Sequence, residues 1–323
     1  MRETAILPDD RPSVRSGPIL VTGSHRSGST WVGNALALAP GTGYVHEPFN
    51  TKTRPGLCNA RFPTDLTYVT AENEAAYLPA LRDTLAWRYA FGPEARSLRT
   101  PRDAARMLRD AAYFETMRRR GARVIMKDPL ALFSAEWLAA RFDMPVVVII
   151  RHPAAFVASL IAAGWTKFRF RILLEQERLM ADRLEPFRAE IAAAAAEQPE
   201  PLEVGILLWR LIHHHIRLLR RDHPDWIFVR HEDLSQAPVA AFGEVFARLG
   251  LAFTPDAAAR INAMSESNGG LAALSIFGVR RRIVRNSRDN VGYFRKRLTE
   301  PQIEAIRSES RDVWEDFYAE TDW

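Results

Sequence analysis

The sequence predicts an α/β protein with a P-loop-like parallel β-sheet of about five strands, flanked by helices and enlarged by helical insertions. Short apolar runs at residues 19–22, 124–126, 146–150 and 226–229 do not alternate with polar residues, as expected of strands buried on both faces. Segments of helical periodicity separate these runs, which is the order of a parallel sheet covered by helices. A loop rich in glycine and serine joins the first run to a helix, as in phosphate-binding folds.

The elements can be placed in chain order. The first strand leads through its loop into an apolar helix expected over 30–38, and a short strand at 43–45 follows. The fourth strand is followed by a helix that begins at Pro153, because proline is favoured in the first helical turn, and His152 is its expected cap. A helix over 209–221 precedes the last strand.

Two stretches, 51–120 and 165–201, are interpreted as helical insertions into this frame. The first has no strong strand pattern, and the second is a charged helical region that ends in an alanine run. Insertions beside the C-terminal edge of a sheet commonly form the acceptor side of a site, although helices that only cover the core would give the same pattern. We expect a single domain over 18–323, after a mobile tail at 1–17.

Composition excludes several classes of protein. The chain has 323 residues, 47% of them hydrophobic and 26% charged, so it is neither disordered nor collagen-like and can bury a sizeable core. Its single cysteine, Cys58, cannot form an internal disulfide, which fits a reducing compartment. The longest apolar run, 145–150, is far short of the roughly 20 residues that span a bilayer, and the N-terminus lacks the apolar region of a signal peptide. We therefore expect a cytoplasmic protein without a membrane span.

Arginine dominates the basic residues. Lysine and arginine number 44 against 39 acidic residues, a formal net charge of +5, and only four of the basic residues are lysine. Planar guanidinium groups bind phosphate and sulfate through paired hydrogen bonds, so the excess favours a polyanionic ligand, although a GC-rich genome alone would also favour arginine. The arginines are scattered and accompanied by acids, which disfavours a nucleic-acid partner.

The loop after the first strand has the spacing of a phosphate-binding loop. Residues 23–30 read G-S-H-R-S-G-S-T, which fits the P-loop pattern G-x-x-x-x-G-K-S/T except that serine replaces lysine. Backbone N–H groups and the helix N-terminus would still attract a phosphate, and Arg26 supplies a cation within the loop. The absent lysine is the group that bridges the β- and γ-phosphates, which disfavours an atypical kinase without excluding it.

Residues 25–31, H-R-S-G-S-T-W, resemble the 5′-phosphosulfate loop of the sulfotransferase family, (P/R)-(K/R)-S-G-(S/T)-(S/T)-(W/F/L). Members of that family transfer a sulfuryl group from 3′-phosphoadenosine-5′-phosphosulfate (PAPS) to a hydroxyl or amine, without a metal. The resemblance implies that the sulfonated end of the donor is bound by Arg26, Ser27, Gly28, Ser29, Thr30 and Trp31.

A second stretch, 151–159, resembles the family's 3′-phosphate segment R-(N/D/H)-P-x-(D/E)-x-x-x-S, with Ala155 in place of the acid. Arg151 directly follows the fourth strand, at the edge where open α/β sheets bind ligands. Ser159 lies two turns along the next helix, so the guanidinium and the hydroxyl could together hold a separate phosphate. The resemblance implies that this phosphate is the 3′-phosphate of PAPS.

Two C-terminal stretches extend the resemblance to residue 302. Residues 229–234, V-R-H-E-D-L, are similar to the family's (V/L)-R-Y-E-D-L, and residues 292–302 are similar to its G-D-W-(K/R)-x-x-(F/L)-T-x-x-Q stretch. In the family, basic residues just upstream of the latter close over the 3′-phosphate. The resemblance makes Arg285 and Arg288 their counterparts, although the family's R-K-G sequence is absent.

Sulfuryl transfer needs a base for the proton of the attacking hydroxyl and positive charge near the leaving phosphate. Carbohydrate-type members of the family carry an acid in an E-P motif, and Glu47 followed by proline stands at the corresponding distance from Arg26. Glu47 is therefore the expected base, with a pKa raised by partial burial. His46 and Asp128 remain alternative bases. Lys127 resembles a family lysine near the bridging oxygen, where it would neutralise the leaving group.

We expect a PAPS-dependent sulfotransferase that acts on a small-molecule or glycan hydroxyl, with carbohydrates and glycolipids as candidates, and that uses no metal. An atypical P-loop kinase and a non-catalytic nucleotide-binding module are the alternatives. The consecutive histidines at 213–215 are not expected to ligate a metal, because neighbouring helical side chains point about 100° apart. A homodimer is compatible with the sequence, which does not identify the acceptor.

Overall fold

The computed structural model describes residues 16–197, 199–266 and 292–323, and a parallel sheet lies at its centre. The strands are β1 (Ile19–Gly23), β2 (Thr42–His46), β3 (Arg123–Lys127), β4 (Val146–Ile150) and β5 (Ile227–Arg230). Their order across the sheet is β2-β3-β1-β4-β5, and every neighbouring pair is parallel. The predicted α/β frame of about five strands is confirmed.

Helices flank this sheet. Those within the described residues are α1 (Ser29–Leu36), α2 (Leu78–Leu85), α3 (Phe91–Ser97), α4 (Pro101–Arg119), α5 (Ala135–Phe142), α6 (Pro153–Ala162), α7 (Arg171–Leu174), α8 (Glu177–Leu179), α9 (Arg188–Glu197), α10 (Pro201–Asp222), α11 (His231–Gln236), α12 (Pro238–Arg248), α13 (Pro255–Glu266), α14 (Glu300–Glu309) and α15 (Arg311–Trp314). Helices α2 to α4 fall within 51–120, and α7 to α9 fall within 165–201. None of these helices combines the length and apolarity needed to cross a membrane.

Residues along the strands alternate between two apolar clusters. Ile19 and Val21 of β1 belong to the cluster covered by α1, α12 and α13, whereas Leu20 belongs to the other cluster. That second cluster contains Phe156 of α6 and Trp209 of α10. Every residue of β1 and β4 is buried, because helices cover both faces at the centre of the sheet. This burial explains why the two strands are apolar without alternation.

The start of α10 differs from the sequence prediction. The helix begins at Pro201, whereas the periodicity predicted a start at Trp209. Proline is compatible with the first helical turn, and the Glu200 N–H donates a hydrogen bond to the Glu203 carboxylate at 2.9 Å. These N-terminal contacts allow the helix to start within a stretch whose glutamates and prolines suggest a linker.

The carboxyl ends of the five strands lie at the same edge of the sheet. β1 is central, with β3 on one side and β4 on the other. Because the strand order reverses about β1, a crevice forms outside its carboxyl end, where open α/β sheets bind ligands. At the opposite edge the Gly17 carbonyl accepts a hydrogen bond from Arg123 Nε at 2.8 Å. Of the tail expected at 1–17, only Ser16 and Gly17 lie within the described residues.

Candidate active site

The loop between β1 and α1 forms a cradle of backbone groups. Gly23 and Gly28 have φ values of 133° and 92°, which residues with side chains rarely adopt. A Cβ added to Gly23 would lie 2.3 Å from the Ile149 carbonyl oxygen, and one added to Gly28 would lie 2.6 Å from His231 Nδ1. Helix α1 begins at Ser29 without a side-chain cap, so its N-terminal N–H groups suit an anion.

Two buried hydroxyls in this loop have no hydrogen-bond partner among the described residues. Ser24 and Ser27 are fully buried, and the Oγ atom of each is unsatisfied. Leaving a buried hydroxyl unsatisfied costs about 1–3 kcal/mol. A bound anion has several acceptor oxygens and would provide the missing partners. The cradle and the two hydroxyls together fit a phosphate or sulfate group.

Replacing Gly28 with alanine tests the cradle. Because φ is positive and the new Cβ would contact His231, G28A should lower the free energy of unfolding by about 2 kcal/mol or more and weaken binding of inorganic sulfate. Thermal denaturation and sulfate titration would measure both effects. Gly41 is a matched control, since its φ is 74° but an added Cβ would have no atom within 4 Å. G41A should cost only about 1 kcal/mol. Equal stability of the two variants with unchanged sulfate binding would contradict the cradle.

Arg26 joins this loop to the segment that follows β4. Its Nε donates a hydrogen bond to Ser159 Oγ at 3.1 Å, and its carbonyl accepts one from Arg151 Nη1. The guanidinium group therefore contacts α6 at the edge of the loop. Arg26 also has a φ of 66°, a left-handed conformation that is uncommon for a residue with a side chain. The residues that the sequence assigned to two separate anion-binding segments thus lie in contact.

A buried network fixes the chain where it leaves β4. His152 occupies the N-cap position of α6, as predicted, and its backbone N–H donates a hydrogen bond to the Glu232 carboxylate at 3.1 Å. The second oxygen of Glu232 accepts from the Tyr318 hydroxyl at 2.9 Å. The His152 ring stacks on Phe294, and burial followed by the charges of nearby arginines lowers its pKa to about 3. His152 is therefore neutral, and the backbone next to Arg151 is held in place.

Glu47 and Lys127 form an ion pair at the ends of β2 and β3. Lys127 Nζ contacts Glu47 Oε1, and the two side chains are 1% and 19% exposed respectively. The register of the sheet places His46 beside Lys127, and the Glu47 N–H donates to the Lys127 carbonyl at 2.8 Å. Glu47 has a φ of 46°, so the carboxylate is presented by a strained backbone of the kind that clusters at functional sites.

The pKa of Glu47 is lowered, whereas the sequence predicted that burial would raise it. Burial acts to raise this pKa. The charges of Lys127 and His46 and the hydrogen bonds from Lys127 and Asn50 act to lower it, and their combined effect is larger than that of burial. Asn50 Nδ2 donates to Glu47 Oε2 at 2.8 Å. The prediction was wrong because it took no account of the cation supplied by β3. Glu47 is ionised at neutral pH.

The two alternative bases have different surroundings. His46 is 49% exposed, and its Nδ1 lies 3.1 Å from the Tyr44 hydroxyl. Asp128 is fully buried and accepts hydrogen bonds from the backbone N–H groups of Phe49 at 2.6 Å and Leu130 at 3.0 Å. Burial raises the pKa of Asp128 to about 7 despite these bonds. Asp128 therefore holds the segments after β2 and β3 together.

His25 is a site residue that the sequence did not predict. The centroid of its ring lies 5.4 Å from that of Phe156 and 5.7 Å from that of Trp165. Burial and then the charge of Arg26 lower the pKa of His25 to about 4, while the charge of Glu47 acts to raise it. The pairing of Val21 with Lys127 brings the Glu47–Lys127 pair beside the loop that carries His25. A neutral imidazole therefore lies near the loop cation and the expected base. Its only sequence signal is its position beside Arg26 in the loop motif.

Of three further predicted donor-site residues, only Trp31 lies within the described residues. Trp31 packs edge-on against His231 and Phe242, with centroids 5.7 and 5.1 Å away, and belongs to the apolar surroundings of α1. Arg285 and Arg288 lie outside the described residues.

Two of the three consecutive histidines of α10 lie within hydrogen-bond distance of different backbone carbonyls. His213 Nδ1 lies 2.9 Å from the Trp209 carbonyl oxygen, and His215 Nε2 lies 3.3 Å from the Leu132 carbonyl oxygen. Burial lowers the pKa of each to about 3. Over 16–197, 199–266 and 292–323, no group of three or more potential metal-ligating side chains is found.

Comparison with known proteins gives several similarities. No curated protein matches the chain. The sulfotransferase domain of a Synechococcus olefin synthase is 16% identical, covers 95% of this chain and 98% of its own, and has a TM-score of 0.48. A sulfotransferase domain from the curacin biosynthetic pathway is 14% identical, with coverages of 91% and 96% and a TM-score of 0.46. A Mycobacterium tuberculosis sulfotransferase is 16% identical, with coverages of 92% and 77% and a TM-score of 0.42.

The family model described as "Sulfotransferase family" matches residues 18–255, well over half of the chain. The match includes the loop after β1, the Glu47–Lys127 pair and the segment after β4. The chain therefore belongs to the sulfotransferase family.

Proposed function

We infer that the protein transfers a sulfuryl group from PAPS to a hydroxyl of its acceptor, for which carbohydrates and glycolipids are the expected class. The observation that carries this inference is the junction at Arg26, where the guanidinium bonds Ser159 and the carbonyl accepts from Arg151. A nucleotide with anionic groups at both its 3′ and 5′ positions needs two anion-binding segments side by side. A ligand with one phosphate group would need only the loop.

The residues present suit both ends of such a donor. The loop N–H groups and the unsatisfied hydroxyls of Ser24 and Ser27 offer hydrogen-bond donors to a 5′-phosphosulfate. Arg151 and Ser159 offer a guanidinium and a hydroxyl to a 3′-phosphate. The Glu232 carboxylate accepts a hydrogen bond from the backbone N–H of His152, and the ring of His152 stacks on Phe294, so the chain next to Arg151 is held in place.

The proposed transfer is a single in-line displacement that uses no metal. The acceptor oxygen forms a bond to sulfur while the bond from sulfur to the bridging phosphate oxygen breaks. Glu47 takes the proton of the acceptor hydroxyl. Lys127 and the loop offset the negative charge that develops on the leaving group, adenosine 3′,5′-bisphosphate.

The Glu47–Lys127 ion pair would couple donor binding to proton transfer. While Lys127 contacts the carboxylate, Glu47 is a weak base because its pKa is lowered. Negative charge on a bound donor would attract Lys127 and weaken its contact with Glu47. The pKa of Glu47 would then rise, which makes the carboxylate a stronger base when the donor is in place.

The two alternative functions have less support. An atypical kinase would need a cation where Ser29 stands in the loop, and the carboxylate oxygens of Asp128 are already engaged by two backbone N–H groups in a fully buried position. A non-catalytic nucleotide-binding module has no need for a carboxylate held in a strained conformation beside the loop, yet Glu47 is such a group.

Stabilisation by adenosine 3′,5′-bisphosphate tests the donor. At a hundredfold excess over its dissociation constant, this product should raise the free energy of unfolding by about 2.7 kcal/mol. The thermal midpoint of unfolding should shift upwards accordingly, and ATP with magnesium should shift it much less. No shift with the bisphosphate would count against PAPS, and an equal shift with ATP and magnesium would favour the kinase.

A further inference from the structure

The turn that ends α6 holds a tryptophan beside the phosphate-binding loop. Gly164 has a φ of 70°, and its N–H donates to the Ile161 carbonyl at 3.0 Å. The Trp165 N–H donates to the Leu160 carbonyl at 3.0 Å. These two hydrogen bonds form a Schellman motif, a common helix ending. The backbone of Trp165 is therefore fixed by the same helix that carries Ser159.

The Trp165 side chain lies at the edge of the site and is 52% exposed. Its ring centroid is 5.7 Å from that of His25 and 5.8 Å from the guanidinium carbon of Arg26. Val21 of β1 pairs with Lys127 of β3, so the Glu47–Lys127 pair lies beside the loop that carries His25 and Arg26. A molecule whose hydroxyl reaches Glu47 would come within reach of the exposed indole ring.

The residues after Trp165 continue this surface. Trp165, Lys167 and Arg169 are exposed, whereas Phe168 is partly buried and Phe170 is 1% exposed. The exposed tryptophan and the two exposed cations therefore lie within five consecutive residues. Among the described residues, neither Lys167 nor Arg169 has a carboxylate within ion-pair distance. Two cations thus remain available to an anionic ligand.

We propose that Trp165, Lys167 and Arg169 form an acceptor subsite for an acidic saccharide. A flat indole ring suits the C–H face of a pyranose, and the two cations suit a carboxylate or sulfate on a neighbouring sugar. The proposal rests on the proposed function, because Glu47 as base defines where the acceptor hydroxyl must arrive. It adds the chemical class of acceptor to that function.

Direct binding measurements test the subsite without relying on turnover. The probes are a glucuronate-containing tetrasaccharide and the same tetrasaccharide with its carboxylates reduced to alcohols, titrated calorimetrically into the full chain with and without adenosine 3′,5′-bisphosphate. W165A should weaken binding of both probes about tenfold. K167Q/R169Q should weaken only the acidic probe, by about fivefold, and should remove most of the salt dependence of its binding.

Matched control variants change exposed residues of α3 and α4. Phe91 is an exposed aromatic residue of α3, and F91A should leave the affinity for both probes unchanged. Arg96 and Arg102 are exposed arginines, and R96Q/R102Q should not alter the salt dependence.

The outcomes separate this subsite from the proposed donor. If W165A binds both probes with parental affinity, the subsite proposal is overturned. It is also overturned if W165A loses affinity only for the bisphosphate, because the ring would then contact the nucleotide instead of the saccharide. Equal effects of K167Q/R169Q on the two probes would overturn the acidic class of acceptor. Saccharide binding that follows the expected pattern in a protein that does not bind the bisphosphate would support the subsite while the donor proposal fails.

Discussion

Turnover of the Glu47→Gln variant should fall by about a thousandfold, while its affinity for adenosine 3′,5′-bisphosphate should not fall below that of the parent. Glutamine keeps the size of the side chain and can still accept the hydrogen bond from Asn50, but it cannot take up a proton at neutral pH. Sulfuryl transfer at saturating donor and calorimetric titration of the bisphosphate would measure the two quantities. Parental turnover by folded E47Q would rule out Glu47 as the base.

The stability of this variant needs its own control. Loss of the carboxylate leaves Lys127, whose side chain is 1% exposed, without the partner that compensates its charge. E47Q should therefore lose about 3 kcal/mol of unfolding free energy. The double variant E47Q/K127M removes both charges and should regain most of that stability without regaining turnover. Recovery of turnover together with stability would show that Glu47 has only a structural role.

The pH profile and the H46Q variant together test Glu47 against His46 as the base. A group with a lowered pKa keeps its proton-accepting form as the pH falls, until the pH reaches that lowered pKa. With Glu47 as base, kcat/KM, which reports the free enzyme, should stay level from neutral pH down to about pH 5. With His46 as base, H46Q rather than E47Q would lose turnover.

The strands were predictable because burial on both faces leaves a direct trace in the sequence. β1 and β4 are wholly buried, and each is an apolar run without alternation. The start of α10 was not predictable in the same way. It depends on a hydrogen bond between the Glu200 N–H and the Glu203 side chain, in a stretch whose prolines and acids also suit a linker.

The chemistry of the site was only partly predictable, because the decisive contacts come from different strands. The loop glycines and serines belong to one local motif, in which the structure gives the glycines positive φ values and leaves the hydroxyls of Ser24 and Ser27 unsatisfied. The pKa of Glu47 depends on Lys127, which lies 80 residues further along the chain and approaches only through the pairing of β2 with β3. His25 likewise could not be identified as a site residue from the sequence, because Phe156 and Trp165 approach it only in the folded chain.

Arg151→Ala should lower the ratio of the affinity for adenosine 3′,5′-bisphosphate to that for adenosine 5′-monophosphate about a hundredfold. The two nucleotides differ only in the 3′-phosphate. A guanidinium binds phosphate through two charge-assisted hydrogen bonds, and alanine offers neither the charge nor the donors. Calorimetric titration of both nucleotides into each variant gives the ratio of their affinities.

Arg123 provides a matched control for the loss of a partly buried arginine. Its guanidinium donates to the carbonyls of Gly17 at 2.8 Å and Leu249 at 2.9 Å, at the edge of the sheet away from the loop. R123A should lower the thermal midpoint of unfolding without changing the ratio of the two nucleotide affinities. A change in that ratio would show that it responds to general destabilisation.

The ratio of affinities separates a phosphate-binding role of Arg151 from its structural role. Because Arg151 also donates to the Arg26 carbonyl, its truncation would loosen the loop that receives the 5′ end of either nucleotide. That effect would weaken both nucleotides equally and leave their ratio at the parental value. R151K keeps the charge without the planar fork, so it should lose part of the preference for the 3′-phosphate. A parental ratio in R151A would show that this segment does not bind the 3′-phosphate. PAPS would then be no better supported as the donor than a molecule with a single anionic end.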